Sequence, residues 1–189
     1  MSRRDSCRII AGKWRGRKIQ FQDAEGLRPT TDRIRETLFN WLQPELAGSC
    51  CLDCFAGSGA LGFEAASRGA AQVLMLEKNP QTVRFLQANK QVLSATMVKL
   101  YKTDSLQWLA AVSEKADKPA CNIVFLDPPY QSNLLQKSCS LLVRSTLLQP
   151  DTRIYLEHAR TDTLTLPDSW QCLKSKTAGQ VVYKLFLVS

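Results

Sequence analysis

Histidine is almost missing from this sequence. Among 189 residues only His158 is present, so a metal centre built on imidazole has almost nothing to draw on. His158 follows an apolar run and reads as a packing or surface residue rather than a base. No stretch approaches the roughly 18 consecutive apolar residues that a membrane-spanning helix needs. The opening residues Met1-Ser2-Arg3-Arg4-Asp5 lack the apolar stretch of a secretory signal. A soluble, cytoplasmic protein is the expectation. Internal repeats and low-complexity linkers are also lacking, and a 44% hydrophobic composition suits one sizeable core with a small appendage.

The seven cysteines are odd in number and scattered, which argues for reduced, mostly buried thiols. Cys51 and Cys54 form the one Cys-x-x-Cys. They lie in a strand-like run, 50–55, where residues three apart face opposite sides of a sheet. No second such pair follows, so core packing is expected and no metal.

Acidic residues are the scarcer charge, 17 against 25 Lys and Arg, for a formal charge of +8. The excess is concentrated. Residues 1–20 contain Arg3, Arg4, Arg8, Lys13, Arg15, Arg17 and Lys18 against Asp5 alone. With Trp14 in its middle and Gly12 and Gly16 flanking, this segment suits a phosphate backbone, with a ring available to stack or wedge. A solvated basic tail is the alternative. Against it, Arg8-Ile9-Ile10 and Lys18-Ile19-Gln20-Phe21 look like two short strands of a hairpin. The division expected is a basic β-hairpin extension over 1–26 and the main domain over 27–189.

Farther along, Ile34, Leu38, Trp41 and Leu42 fall on one face at helical spacing over 33–42, with Thr31 or Asp32 as N-cap and Gly48 closing the segment. From residue 50, short apolar runs alternate with amphipathic stretches. Strands are expected at 50–55, 72–77, 97–101, 120–126 and 152–157, and helices at 60–68, 80–93, 105–113 and 134–145. That rhythm predicts a mostly parallel α/β sheet with helices on both faces. The end differs: 170–176 and 180–188 are strand-like and separated by Thr177-Ala178-Gly179, predicting a C-terminal antiparallel hairpin.

Two motifs carry chemistry. Asp127-Pro128-Pro129-Tyr130 ends the apolar run 123–126, so a carboxylate is held at a strand tip. The two prolines fix φ and remove two N–H donors, leaving a rigid segment that accepts hydrogen bonds. Beside it Tyr130 offers a flat stacking surface. Such a site suits a planar ring held by its face and an exocyclic NH2 held by its two hydrogens, as methylating a nucleobase amine requires. An ordinary turn leaving a strand is the plainer alternative.

The second motif, Asp53-Cys54-Phe55-Ala56-Gly57-Ser58-Gly59-Ala60-Leu61-Gly62, leaves the first strand of the alternating region. Glycines there allow close backbone approach to a ligand, and the following helix presents unpaired N–H groups. Glu77 closes the next strand, where a carboxylate can take both hydroxyls of a ribose. Asp104 follows the third, in position for an adenine amino group. Gly57-x-Gly59-x-x-Gly62 also matches the dinucleotide fingerprint, so a nicotinamide cofactor is permitted. Asp53 within the strand instead favours a cationic amino-acid moiety over a pyrophosphate. S-adenosylmethionine has that moiety, a ribose and an adenine, and no phosphate.

In order, Asp53 to Gly62, Glu77, Asp104 and Asp127 to Tyr130 resemble the motifs of class I methyltransferases acting on exocyclic amino groups. The stretches Arg8-Ile9-Ile10-Ala11-Gly12-Lys13-Trp14-Arg15-Gly16-Arg17 and Arg28-Pro29-Thr30 to Trp41 narrow this. Together they look like the bacterial 16S ribosomal RNA (guanine(966)-N2)-methyltransferase family, commonly called RsmD, over nearly the whole chain. The resemblance implies a Rossmann-like fold with a seven-stranded sheet and S-adenosylmethionine as cofactor. It implies catalysis by Asp127, Pro128, Pro129 and Tyr130, and a cofactor pocket of Asp53, Phe55, Ala56, Gly57, Ser58, Gly59, Glu77, Asp104 and Ser105. Arg8, Lys13, Trp14, Arg15, Arg17, Lys18, Arg28 and Thr30 are then placed as RNA contacts. The partner would be 16S ribosomal RNA in the small subunit or an assembly intermediate, met by a monomer. A DNA adenine methyltransferase and a non-catalytic RNA-binding assembly factor are the alternatives. The first usually needs a sequence-reading domain for which 189 residues leave no room.

Overall fold

The computed structural model describes residues 4–22, 31–113, 120–129 and 133–189. Its strands and helices, in chain order, are β1 (Arg4–Arg8), β2 (Lys18–Gln22), α1 (Asp32–Leu46), β3 (Cys50–Asp53), α2 (Ala60–Ser67), β4 (Gln72–Glu77), α3 (Pro80–Leu93), β5 (Val98–Lys102), α4 (Ser105–Ser113), β6 (Ile123–Leu126), α5 (Leu134–Val143), β7 (Arg153–Ala159), β8 (Trp170–Ala178) and β9 (Val181–Val188).

The local reasons for these elements are visible in the side chains. Thr31 caps α1, its hydroxyl accepting the Ile34 N–H at 3.4 Å. The helix continues past Leu42, where the apolar spacing placed its end, and past Pro44, whose missing N–H works against it, because buried Leu42 and Leu46 hold the last turn in the core. Asn79 caps α3 by accepting the Gln81 and Thr82 N–H groups, with Pro80 in the first turn, where a missing N–H costs nothing. The C-terminal hairpin closes on two residues, Gly179 and Gln180, rather than three. Gly179 has φ +60°, which suits the first position of a type II′ turn.

The main sheet has the order β5-β4-β3-β6-β7-β9-β8. Strands β3 to β7 are parallel, and β9 runs antiparallel to both its neighbours. Order reverses between β3 and β6, which makes the carboxyl ends of those two strands the place where an open α/β sheet receives ligands.

Alternation along each strand splits the core into two layers. Cys51, Met75, Phe125 and Tyr155 pack against α1, α2, α3 and the hairpin residues Ile9, Trp14 and Ile19. Leu52, Leu74, Val124 and Leu156 pack against α4 and α5 on the other face. Cys51 and Cys54 accordingly fall in different layers, as their spacing requires. No helix among the described residues is long and apolar enough to cross a membrane.

Candidate active site

Parallel pairing aligns Asp53 of β3 with Phe125 of β6, and the Cys54 N–H donates to the Phe125 carbonyl at 3.1 Å. The loop after β3 and the segment after β6 therefore leave the sheet side by side. Next the loop crosses the end of β4. The Ala56 N–H donates to the Leu76 carbonyl at 3.0 Å and the Gly57 N–H to Glu77 Oε2 at 3.1 Å. The other Glu77 oxygen accepts the Asn79 N–H at 2.7 Å, so this carboxylate is oriented by backbone on both sides. Gly59, at φ +82°, caps α2; a Cβ there would lie 2.7 Å from Leu86 Cδ2 and the Phe63 ring. Backbone and packing both demand glycine.

Asp53 is 2% exposed beneath the first turn of α2, its Oδ2 accepting the Gly62 N–H at 3.1 Å. Burial pushes its carboxyl up to about 7, against the opposing pull of the Phe55 and Gly62 amides. A cation delivered to this position would favour the ionised form. Asp104 Oδ1 accepts the Leu106 and Gln107 N–H groups at 2.9 and 3.2 Å, opening α4. The Ser105 hydroxyl donates to the Cys54 carbonyl, tying α4 to the tip of β3. Beyond β6, Asp127 is half-buried, Pro128 buried and Pro129 exposed. One edge of the sheet thus gathers Asp53, Phe55, Ala56, Gly57, Ser58, Gly59, Glu77, Asp104 and Ser105 with Asp127, Pro128 and Pro129. Tyr130, Arg28 and Thr30 lie outside the described residues. His158 is 7% exposed, with Nδ1 2.8 Å from the Ala159 carbonyl, and is a packing residue.

The hairpin is real but differs from its reading. β1 covers Arg4–Arg8, and Ile10 leaves the ladder because a distant carboxylate takes its amide. Glu64, fully buried in α2, accepts the Ile10 N–H at 2.7 Å, the Ala11 N–H at 3.0 Å and Arg68 Nε at 2.7 Å. Ser67 adds three bonds: its carbonyl accepts the Lys13 N–H at 2.7 Å, while its hydroxyl accepts the Trp14 N–H at 2.9 Å and donates to the Ala11 carbonyl at 2.6 Å. Gly12, at φ +81°, lies so close that a Cβ would come within 1.9 Å of the Ser67 oxygen. Arg35, also fully buried, donates to the Arg8 carbonyl at 2.8 Å.

Trp14 needs correction. Its ring is 3% exposed and belongs to the core, so it is not presented for stacking or wedging. Flanking glycines suggested an accessible turn, whereas Gly12 serves to press the turn against α2. Arg8, Lys13, Arg15, Arg17 and Lys18 remain exposed. The anchors Glu64, Ser67 and Arg35 went unread in the sequence. One signal was available: a Glu64–Arg68 pair at i,i+4 in an otherwise apolar helix marks a charge that needs buried partners.

Strand order, the glycine loop at the switch point and the acceptor-rich tip beside it define a Rossmann-like, class I methyltransferase fold. Residues 7–187 match the family described as Conserved hypothetical protein 95. The chain is 45% identical over 181 residues to the ribosomal RNA small subunit methyltransferase D of Haemophilus influenzae, covering 95% of this chain and 92% of that protein. It is 43% identical over 180 residues to the protein of that name from Escherichia coli K12, covering 95% and 88%. Among solved structures, the putative methyltransferase yhhF of Escherichia coli superposes with a TM-score of 0.85 at 41% identity, covering 98% of this chain and 99% of that one. The chain belongs to this family of ribosomal RNA small subunit methyltransferase D proteins.

Proposed function

We propose that the protein methylates the exocyclic N2 amine of a guanine in 16S ribosomal RNA, at the position the family resemblance gives as 966, with S-adenosylmethionine as donor. One observation carries the reading: the β3–β6 register sets the glycine loop and Asp127-Pro128 next to each other at the switch point. It acts as a cytoplasmic monomer on the small subunit or an assembly intermediate.

The residues fit that donor. Residues 53–62 contain no lysine or arginine, and a buried carboxylate lies under the helix start where a dinucleotide would need to place a pyrophosphate. Asp53 and the Gly57-Ser58-Gly59 backbone would hold the amino-acid moiety, Glu77 the ribose hydroxyls and Asp104 the adenine amine. When bound, the donor supplies an electrophilic methyl group on a sulfonium.

The chain's own residues do the remainder. The lone pair of guanine N2 is delocalised into the ring, so the amine is a poor nucleophile. Asp127 Oδ and the Pro128 carbonyl accept its two hydrogens, favour a pyramidal nitrogen and oppose the positive charge that grows on it. With the donor bound, methyl transfer to N2 would leave one proton to shed, which the Asp127 carboxylate would accept. Orientation accounts for at most about 7–11 kcal/mol and one such acceptor for about 3–4 kcal/mol. The base must be unstacked to reach this edge.

The cations of the hairpin turn contact phosphates some way from the target base. Lys13 and Trp14 are held by Ser67, the last residue of α2, and the loop that faces the donor precedes its first. An eight-residue helix is about 12 Å long. The deciding experiment offers methyl-labelled donor with small ribosomal subunits, naked ribosomal RNA and DNA in parallel, followed by digestion to nucleosides. N2-methylguanosine from ribosomal RNA is expected; label in adenine, or none, overturns the reading.

A further inference from the structure

We infer that the cleft between the hairpin turn and the first turn of α1 binds a second, unpaired nucleotide of the RNA: Arg8, Arg15 and Arg33 meet its phosphate, and the Glu36 carboxylate accepts an amino hydrogen of its base. The inference rests on the reading of the protein as one acting on ribosomal RNA, and adds a site apart from the one that takes the target guanine.

The cleft encloses about 380 Å³, and among the described residues its walls include Arg8, Ile10 and Arg15 on the hairpin side and Asp32, Arg33 and Glu36 on the helix side. Ligand sites run from about 300 to 1,000 Å³, and the small end of that range suits one nucleotide. Both walls are held by one side chain. Fully buried Arg35 donates to the Arg8 carbonyl at 2.8 Å and to Asp32 Oδ1 at 2.6 Å, so the opening is set before any ligand arrives. α1 enters the parallel strand β3 after only residues 47–49, and its start therefore points toward the carboxyl ends of the strands. Phe39 lies against Phe125 of β6, with ring centroids 5.9 Å apart, and the helix from there back to Asp32 rises about 10 Å. The cleft thus opens at the end of the molecule proposed to receive the donor.

Charge gives the ligand its class. Arg8, Arg15, Arg33 and Glu36 are all exposed, and none has a side-chain hydrogen bond or ion pair among the described residues. Three guanidiniums around one opening suit a phosphate, which each can grip bidentately. Asp32 is already paired with Arg35, so Glu36 is the carboxylate that the cleft offers to a ligand. An ionised carboxylate only accepts hydrogen bonds and repels a phosphate. The part of a nucleotide that it fits is a base amine, and unpaired bases in RNA are read at such edges. Cytosine, adenine and guanine have that amine; uracil lacks it. The cleft should therefore discriminate against uridine.

The test measures binding without donor, which keeps it apart from the reaction: short oligocytidine and oligouridine of equal length are titrated against the wild-type protein, Glu36→Ala and Arg33→Ala. The two oligomers share ring size and backbone and differ chiefly at the base amine. The wild-type protein should bind oligocytidine about tenfold or more tightly, the scale of one base-edge contact. Glu36→Ala should lose that preference by weakening oligocytidine alone. Arg33→Ala should weaken both and flatten the slope against log salt by nearly one ion. Donor affinity should stay within about twofold in both variants, which also shows that each is folded. If Glu36 is only a solvated surface charge, its removal relieves repulsion and tightens both oligomers together, which overturns the inference. Equal affinity of the wild-type protein for the two oligomers, or binding of neither, also overturns it. Failure to label guanine N2 in ribosomal RNA, read by the nucleoside digestion above, would instead indict the reaction and leave this binding result standing.

Discussion

Replacing Glu64 by alanine should cost the protein more than any surface ion pair could, because one side chain ties the basic hairpin to the helix that follows the glycine loop. Glu64 is fully buried and accepts two backbone amides and Arg68 Nε; Arg35 Nη1 stands 3.8 Å away. Its removal leaves two amides unsatisfied, at about 1–3 kcal/mol each, and strands buried guanidinium charge, at about 3–5 kcal/mol. These overlap in one network, so about 3–5 kcal/mol is expected in total. With a urea m-value of about 3 kcal/mol/M, the midpoint of unfolding should fall by about 1–1.7 M. Asp32→Ala is the control, since it also removes a partner of Arg35, at 2.6 Å, but that carboxylate is 69% exposed and should cost no more than about 1 kcal/mol. A Glu64→Ala loss under about 1 kcal/mol, or one equal to that of Asp32→Ala, would refute the anchoring role.

RNA affinity should fall with log salt at a slope of about −4 to −5 if roughly six phosphates are met. Lys13→Ala and Arg15→Ala should each flatten that slope by nearly one ion, read by titration at several salt concentrations. Trp14→Ala should act on stability instead, by about 3–5 kcal/mol, with the salt slope of the folded fraction unchanged. Asp53 gives a pH signature. Its folded pKa of about 7 lies above the ordinary carboxyl value of 3.8, so the folded state binds the extra proton between them. Its contribution to stability therefore falls as pH rises from about 4 to about 7, by at most about 4 kcal/mol, and is level above. Melting temperatures of Asp53→Asn should lack that slope, and affinity of the wild-type protein for the cationic donor should climb over the same window.

How far the sequence revealed this molecule depends on the range of the forces involved. α3, α4 and β4 were legible to the residue, because a cap such as Asn79-Pro80 and a bounded apolar run are local signals. The glycine loop and Asp127-Pro128-Pro129 were legible because their chemistry resides in the residues themselves, and alternating strands and helices were enough to bring them to one edge. The hairpin was read only in outline. Its bounds depend on Glu64, 54 residues beyond Ile10, and the burial of Trp14 on Ser67, 53 residues beyond it. No local pattern carries partners at that range.

The most direct measurement on the central claim pairs turnover with donor binding in Asp127→Ala. Methyl transfer to ribosomal RNA should drop by about 100- to 1,000-fold, the usual loss when one preorganised group at the developing charge is removed. Calorimetric affinity for S-adenosylmethionine should stay within about twofold of wild type. Undiminished transfer, or a loss of donor affinity comparable to the loss of rate, would contradict an amine held at the β6 tip beside a separately built donor pocket.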